Sequence, residues 1–319
     1  MKKVLVTRKF PEQFVAPLRQ VATVVEWHDE WQAMPREELL AHVADVDAIW
    51  ATLEDHIDEE LLAHAPKLKM VANLAVGYNN MNIVALRERG IMATNTPNVL
   101  TNATADLAFG LLIATARRLV EGADYLREGN WKGWSPMQLT GMEVSGSTLG
   151  IIGMGRIGSA VARRARGFDM HVLYHNRNRK YEDEEMYGFR YRQLDELLQE
   201  SDFVMVLTPY TKETHHLISE RELKLMKETA VFINVSRGGI VDEKALYEAL
   251  LQKDIWAAGL DVFQEEPVSL DHPLLTLPNV VALPHIASAS IKARHEMLQT
   301  NLEALLTFID DDKPKNRLT

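Results

Sequence analysis

Short apolar runs separated by segments of helical period recur along most of the chain. Runs at 4–6, 21–25, 48–50, 70–72 and 91–93 read as strands, with helices at 36–43 and 58–63 among them. A second series lies at 203–207, 230–235, 257–262 and 280–283. Strands alternating with helices predict parallel sheets, hence an α/β chain. Residues 104–126 break the rhythm. They are apolar on most sides and free of proline, which predicts one long helix buried between domains or subunits. Residues 129–146 are irregular and rich in Gly and Trp. A last helix is expected over 290–308, followed by a charged, frayed tail over 310–319.

The second series opens with residues 148–177, TLGIIGMGRIGSAVARRARGFDMHVLYHNR. An apolar run meets Gly153, Gly155 and Gly158 in G-x-G-x-x-G spacing, then a helical segment, then another apolar run. That order makes the glycines a dinucleotide-binding fingerprint rather than a chance cluster. Gly153 permits the tight turn, Gly155 lets backbone amides approach a pyrophosphate, and Gly158 lets helix and strand pack closely. The helix N-terminus offers N–H groups and a positive dipole end to the phosphates.

NAD-binding units place Asp or Glu about 20 residues on, for the ribose 2′-OH. Here Asn176 stands near that place, followed by Arg177, Arg179 and Lys180. Guanidiniums suit a 2′-phosphate, so a preference for NADP(H) is expected, with NAD(H) possible. The alternative is a solvated basic loop balancing Glu182, Asp183, Glu184 and Glu185.

Composition narrows the classes. The 319 residues suit two domains, and 46% are hydrophobic, enough for sizeable cores. A net charge of −10 argues against a general nucleic-acid surface. With no cysteine there is no disulfide framework, thiolate metal site or Cys nucleophile. The start, MKKVLVTRKF, is too short in its apolar core for a signal peptide, and 107–116 is too short to span a bilayer. A cytoplasmic protein without a membrane partner is expected. No histidine cluster has metal-ligand spacing, so no metal is expected. There is no G-x-S-x-G elbow.

Three ionisable residues follow predicted strands: Arg237 after 232–236, Glu266 after 258–262, and His285 after 281–284. Open parallel sheets bind ligands beyond the carboxyl ends of their strands. Each residue alone has a bland explanation, a turn, an acidic surface or a core histidine. Together they mark where a nicotinamide meets a substrate.

These stretches, with 73–80 (NLAVGYNN), 234–238 (NVSRG), 259–262 (GLDV), 265–267 (EEP) and 283–286 (LPHI), resemble the D-isomer-specific 2-hydroxyacid dehydrogenase family along nearly the whole chain. Within it, LYHNR and 96–112 (TPNVLTNATADLAFGLL) are most similar to glyoxylate/hydroxypyruvate reductases and bacterial 2-ketogluconate reductases. The resemblance implies two doubly wound parallel-sheet domains with a cleft between them. A flavodoxin-like substrate domain would span 1–100 and 287–319, and a Rossmann dinucleotide-binding domain 101–286, including the helix from about 104 to 126. The last helix would cross back to the substrate domain, and the 104–126 helix would contribute to a homodimer.

The resemblance also implies roles. His285 is the acid/base, Glu266 orients it, and Arg237 clamps the substrate carboxylate and polarises the keto oxygen. Backbone N–H groups of Val76 and Gly77 grip the same carboxylate, and Leu53 lines the pocket. Asp261 contacts the nicotinamide carboxamide. Thr104, Arg156, Ile157, Thr208, Pro209, Val235, Ser236 and Ala287 complete the cofactor contacts. The departures are Ala287 where PHIG is common, Asn79 for a common Asp, and Gln138 where some relatives carry a Trp near the neighbouring subunit's substrate. Gln138 leaves the substrate range open.

The expected function is reduction of small 2-keto acids (glyoxylate, hydroxypyruvate, 2-ketogluconate) to D-2-hydroxy acids. Two alternatives stand beside it. One is a dinucleotide-sensing binding protein of the corepressor kind, disfavoured by the lack of basic patches. The other is an NADH-dependent dehydrogenase of another acid. A formate-dehydrogenase-like enzyme would carry Gln where Glu266 stands.

Overall fold

The structure, a computed structural model, describes residues 1–319. It divides into two compact units, Met1–Leu100 with Ser290–Thr319, and Thr101–Ala289.

The first unit is built on β1 (Lys3–Val6), β2 (Thr23–Glu26), β3 (Ala48–Ala51), β4 (Met70–Asn73) and β5 (Met92–Thr94). They form one parallel sheet in the order β2-β1-β3-β4-β5. The order reverses between β1 and β3, the switch point of a doubly wound sheet. Every residue of β3 and β4 is buried. That explains their unbroken apolar runs, since a parallel sheet covered on both faces leaves no polar side. The helix Ile291–Ile309 packs on β3, β4 and the helix Glu12–Val21. It carries one fully buried amide. Asn301, turned so that its oxygen meets both donors, accepts from Trp50 Nε1 and the Leu74 N–H at 3.1 Å each.

The second strand of this unit begins at Thr23 rather than at residue 21, because Val21 closes the first helix. The segment after the last helix is not a frayed end. Arg317 bridges Thr94 in antiparallel fashion, and the Leu318 N–H donates to Ala93 O at 2.8 Å. Charge alone did not reveal this pairing, because its contacts are to backbone.

The second unit contains β6 (Thr148–Ile152), β7 (His171–His175), β8 (Arg190–Tyr191), β9 (Phe203–Val206), β10 (Val231–Asn234), β11 (Ala257–Leu260) and β12 (Val280–Ala282). All are parallel, in the order β12-β11-β10-β9-β6-β7-β8. The reversal lies between β6 and β9, so the glycine turn after β6 and Thr208 after β9 share the switch point.

The expected long helix over 104–126 is two helices, Thr101–Ala116 and Leu119–Arg127. Arg118 takes a left-handed φ of 52°, and its guanidinium folds onto Glu121 at 2.7 and 2.6 Å. The Met142 N–H caps Ala116 O at 2.8 Å. The chain at Gly141 lies so close that a Cβ there would stand 2.2 Å from that oxygen. A terminal carbonyl capped from outside the helix ends it, which hydrophobic period cannot show. The first helix is buried on β10 and β11, whereas the second buries no residue. No helix is long and apolar enough to cross a membrane.

Candidate active site

The glycine turn has the shape a pyrophosphate requires. Gly153 has φ 104°, and a Cβ there would stand 2.5 Å from the Thr208 nitrogen. At Gly158 a Cβ would meet Gly153 O at 2.4 Å, so any side chain would push the helix Arg156–Ala165 off the strand. At Gly155 the same position meets nothing within 4 Å, so the turn faces open space there. The first helix-closing bond runs from the Ser159 N–H to Gly155 O at 2.8 Å, which leaves the N–H groups of Arg156, Ile157 and Gly158 ahead of the ladder. Ser236 Oγ donates to Thr208 O and ties the ends of β9 and β10 together. Pro209 continues the Thr208 loop, Val235 is buried beside Ser236, and Thr104 is buried in its helix. These features fit a bound dinucleotide.

Two of the three residues singled out after β7 have partners within the chain. Asn176 is committed to the glycine turn: its Oδ1 accepts from the Met154 N–H at 2.7 Å, and its Nδ2 donates to Met154 O at 3.3 Å. Arg179 is committed to Glu184, with Nε on Oε1 and Nη2 on Oε2 at 2.7 Å each. The Tyr174 hydroxyl donates to the same carboxylate at 2.7 Å. The hydrogen bond from Arg179 holds the Glu184 carboxyl below its usual range. Burial and the Glu184 bond push the Tyr174 hydroxyl up to about 12. Of the acidic partners considered for this loop, Glu184 alone takes Arg179. Arg177 is exposed and forms no hydrogen bond or ion pair; its charge is felt at Glu213.

Arg237, Glu266 and His285 are brought together beyond the carboxyl ends of β10, β11 and β12. His285 Nδ1 and Glu266 Oε2 are 2.6 Å apart, and Glu266 Oε1 accepts from the Phe263 N–H at 2.9 Å. Burial pushes the Glu266 carboxyl up, but the His285 bond and charge, the Phe263 N–H and Arg237 outweigh it, so the net shift is downward. Burial lowers the Arg237 pKa, and the Glu266 charge opposes that. Arg237 Nη1 donates to Ser236 O at 2.7 Å, and Asn234 Nδ2 donates to Arg237 O at 3.0 Å.

His285 itself has a left-handed φ of 53°. Such a conformation in a non-glycine residue costs about 1–3 kcal/mol and persists only where neighbours over-determine it. Here Asp261 does so. Three successive N–H groups end on it: His285 on its carbonyl at 2.9 Å, Ile286 on Oδ1 and Ala287 on Oδ2 at 2.8 Å each. Asp261 is fully buried, which raises its pKa against the pull of those two carboxylate bonds. This clamp on the histidine was not foreseen. An Asp closing an apolar strand next to the one that leads to the His was its one visible sign.

In the first unit, Leu53 follows β3, and Val76 and Gly77 follow β4. The carbonyls of both are held: Val76 O by Asn95 Nδ2 at 2.8 Å, Gly77 O by Asn73 Nδ2 at 3.1 Å. Neither N–H has an acceptor within the protein. Behind Leu53, the buried Asp55 accepts from Thr7 Oγ1 at 2.6 Å and the Thr52 N–H at 2.7 Å. Gln138 lies in an exposed segment that also bears Trp134 and Met137. No group of three His, Asp or Glu side chains is gathered as a metal site.

Comparison with known proteins agrees with this geometry. Residues 109–287 match the family model "D-isomer specific 2-hydroxyacid dehydrogenase, NAD binding domain". The glyoxylate reductase of Thermococcus gammatolerans is 49% identical over 316 residues, covering 98% of this chain and 94% of that one. That of Pyrococcus furiosus is 49% identical over 310 residues, 96% and 92% of the two chains. Among solved structures, the TT0316 protein from Thermus thermophilus superposes with a TM-score of 0.92 at 43% identity, over 99% and 100% of the two chains. The NADPH-dependent glyoxylate/hydroxypyruvate reductase of Sinorhizobium meliloti, in complex with NADP and malonate, gives 0.88 at 33% identity, over 100% and 97%. The chain therefore belongs to the D-isomer-specific 2-hydroxyacid dehydrogenases, close to the glyoxylate/hydroxypyruvate reductases, with a nicotinamide-dinucleotide-binding domain at its centre.

Proposed function

We propose that the protein reduces small 2-keto acids, glyoxylate and hydroxypyruvate first among them, to D-2-hydroxy acids with NADPH as the preferred reductant. The observation that carries this is the 2.6 Å pairing of His285 with Glu266 beside Arg237, at strand ends of a dinucleotide-binding sheet. The bound nicotinamide supplies a hydride to the keto carbon. The residues of the chain do the rest. Arg237 pairs with the substrate carboxylate and draws electron density toward the keto oxygen. His285 keeps Nδ1 on Glu266 and hands its Nε2 proton to the oxygen as negative charge develops there. Glu266 fixes the ring through Nδ1 before and after transfer. In the reverse direction the same nitrogen accepts the proton. The N–H groups of Val76 and Gly77 take the far side of the carboxylate, and Leu53 lines its approach.

Coenzyme choice rests on Arg177. With Asn176 on Met154 and Arg179 on Glu184, Arg177 is the guanidinium available to a 2′-phosphate. Arg179 joins it only by leaving Glu184. No carboxylate at 176 meets the phosphate. An initial-rate matrix crossing NADPH and NADH with glyoxylate, hydroxypyruvate, 2-ketogluconate, pyruvate and 3-phosphohydroxypyruvate tests both claims. Turnover of the first two with NADPH ahead is expected, with D-glycerate formed from hydroxypyruvate. No turnover of any acid would remove the reaction, and NADH ahead would remove the coenzyme preference.

A homodimer is part of the same proposal. The helix Leu119–Arg127 and the segment after it expose Leu119, Val120, Leu126, Trp131, Trp134 and Met137, an apolar surface suited to a second copy. Light scattering behind a sizing column is expected to give twice 36.1 kDa, and a species of that single mass would sink the dimer.

A further inference from the structure

A trans peptide carries its N–H and C=O on opposite edges of one plane. A partner that fixes a carbonyl therefore also aims the N–H sharing that plane. The Gly77 N–H shares its plane with the Val76 carbonyl, and the Val76 N–H with the Ala75 carbonyl. Asn95 Nδ2 holds the first carbonyl at 2.8 Å, and the Thr96 N–H holds the second at 2.9 Å. Both peptides assigned to the substrate carboxylate are thus oriented from one dipeptide just beyond β5. Asn95 is 7% exposed.

The dipeptide is in turn held from its other side. Asn316 Nδ2 donates to Asn95 O, next to the Arg317–Thr94 bridge and the Leu318–Ala93 hydrogen bond. Without the Asn95 amide the Val76–Gly77 peptide loses its one anchor, and glycine offers little resistance to its turning.

We propose that Asn95 is a positioning residue of the carboxylate grip: it touches no substrate and acts by aiming the Gly77 N–H through the Val76 carbonyl. This rests on the assignment of the Val76 and Gly77 N–H groups to the substrate carboxylate. Asn316 supports Asn95 from outside.

The test measures KM and kcat for glyoxylate, Ki for oxalate as an unreactive dicarboxylate, and Kd for NADPH by fluorescence. The proteins are the wild type, Asn95→Ala, Asn95→Asp and Asn316→Ala. In Asn95→Ala, KM and Ki are expected to rise together by about tenfold, the scale of one weakened charge-assisted hydrogen bond. Its kcat should fall less than about threefold, with NADPH Kd within about twofold. Asn95→Asp, which sets a carboxylate against the Val76 carbonyl, is expected to be worse. Asn316→Ala is expected to raise KM and Ki by about threefold, and it carries the test if the Asn95 variants fail to fold. An active wild type whose variants keep KM and Ki within about twofold overturns the proposal alone, as does a matching rise in NADPH Kd. A wild type that reduces no 2-keto acid overturns the proposed function and this proposal with it.

Discussion

The loop after β7 and the strand ends bearing Arg237, Glu266 and His285 both set cations beside carboxylates, but on differently fixed backbone. Arg179 and Glu184 meet near the surface, with the arginine side chain 46% exposed. His285 and Glu266 are one-quarter exposed or less, and the backbone around the histidine is fixed by Asp261. An exposed pair contributes little net energy and can exchange partners. The His285–Glu266 pair also reaches solvent, so what sets it apart is the fixed backbone beneath the histidine. The first arrangement suits a choice among coenzymes. The second suits a proton transfer that needs one geometry.

If that contrast holds, damage to the group on the fixed backbone is the most severe. His285→Ala is expected to lower kcat for glyoxylate reduction by about 10²-fold or more, the scale of general acid catalysis, with little change in NADPH affinity. A purified variant with near-normal kcat would take His285 out of the proton transfer. Arg237→Lys keeps the charge but loses the planar fork. Both a raised KM for the keto acid and a lower kcat are expected; constants within twofold of wild type would make Arg237 structural.

The exposed loop should give a smaller and more selective effect. Arg177→Ala removes one charge-assisted contact to a 2′-phosphate, a loss of about 1.5–3 kcal/mol, or about ten- to a hundredfold in kcat/KM for NADPH. NADH should be nearly unaffected, and added salt should narrow the wild-type preference. An unchanged NADPH/NADH ratio would leave the basic run as plain surface. The smallest effect concerns acid stability. The Glu266 pKa is depressed in the folded state, so its contribution is complete above its ordinary value of 4.5 and is lost as pH falls through the depressed one. The Tm gap between wild type and Glu266→Gln should therefore be steady from about pH 5.5 to 6 and close in more acid solution. A gap that widens as the pH falls would contradict the downward shift.

Much of this architecture was legible because it depends on local signals. Fully buried parallel strands must be apolar at every position, so β3, β4, β9 and β10 stood out as runs. Gly153 and Gly158 were readable because contacts at 2.5 and 2.4 Å exclude a side chain. What escaped depends on partners distant in sequence. The pairing of Arg179 with Glu184, whose carboxylate also accepts from the Tyr174 hydroxyl, is not visible in the basic run. The break at Arg118 depends on Gly141 and Met142 returning to Ala116. That the Asp261 carboxylate also accepts from the Ile286 and Ala287 N–H groups depends on a strand further along the chain.

The pairing of residues 317–319 with β5 has a consequence for solubility. β5 is the outer strand of its sheet, and a bare outer strand is a template for joining sheets of separate molecules. Here the Ala93 carbonyl is taken by the Leu318 N–H, and the Ala93 N–H by Thr319 Oγ1 at 2.9 Å. The few residues that steady the loop beyond β5 also close the row of peptide groups through which copies of this chain would otherwise stick together.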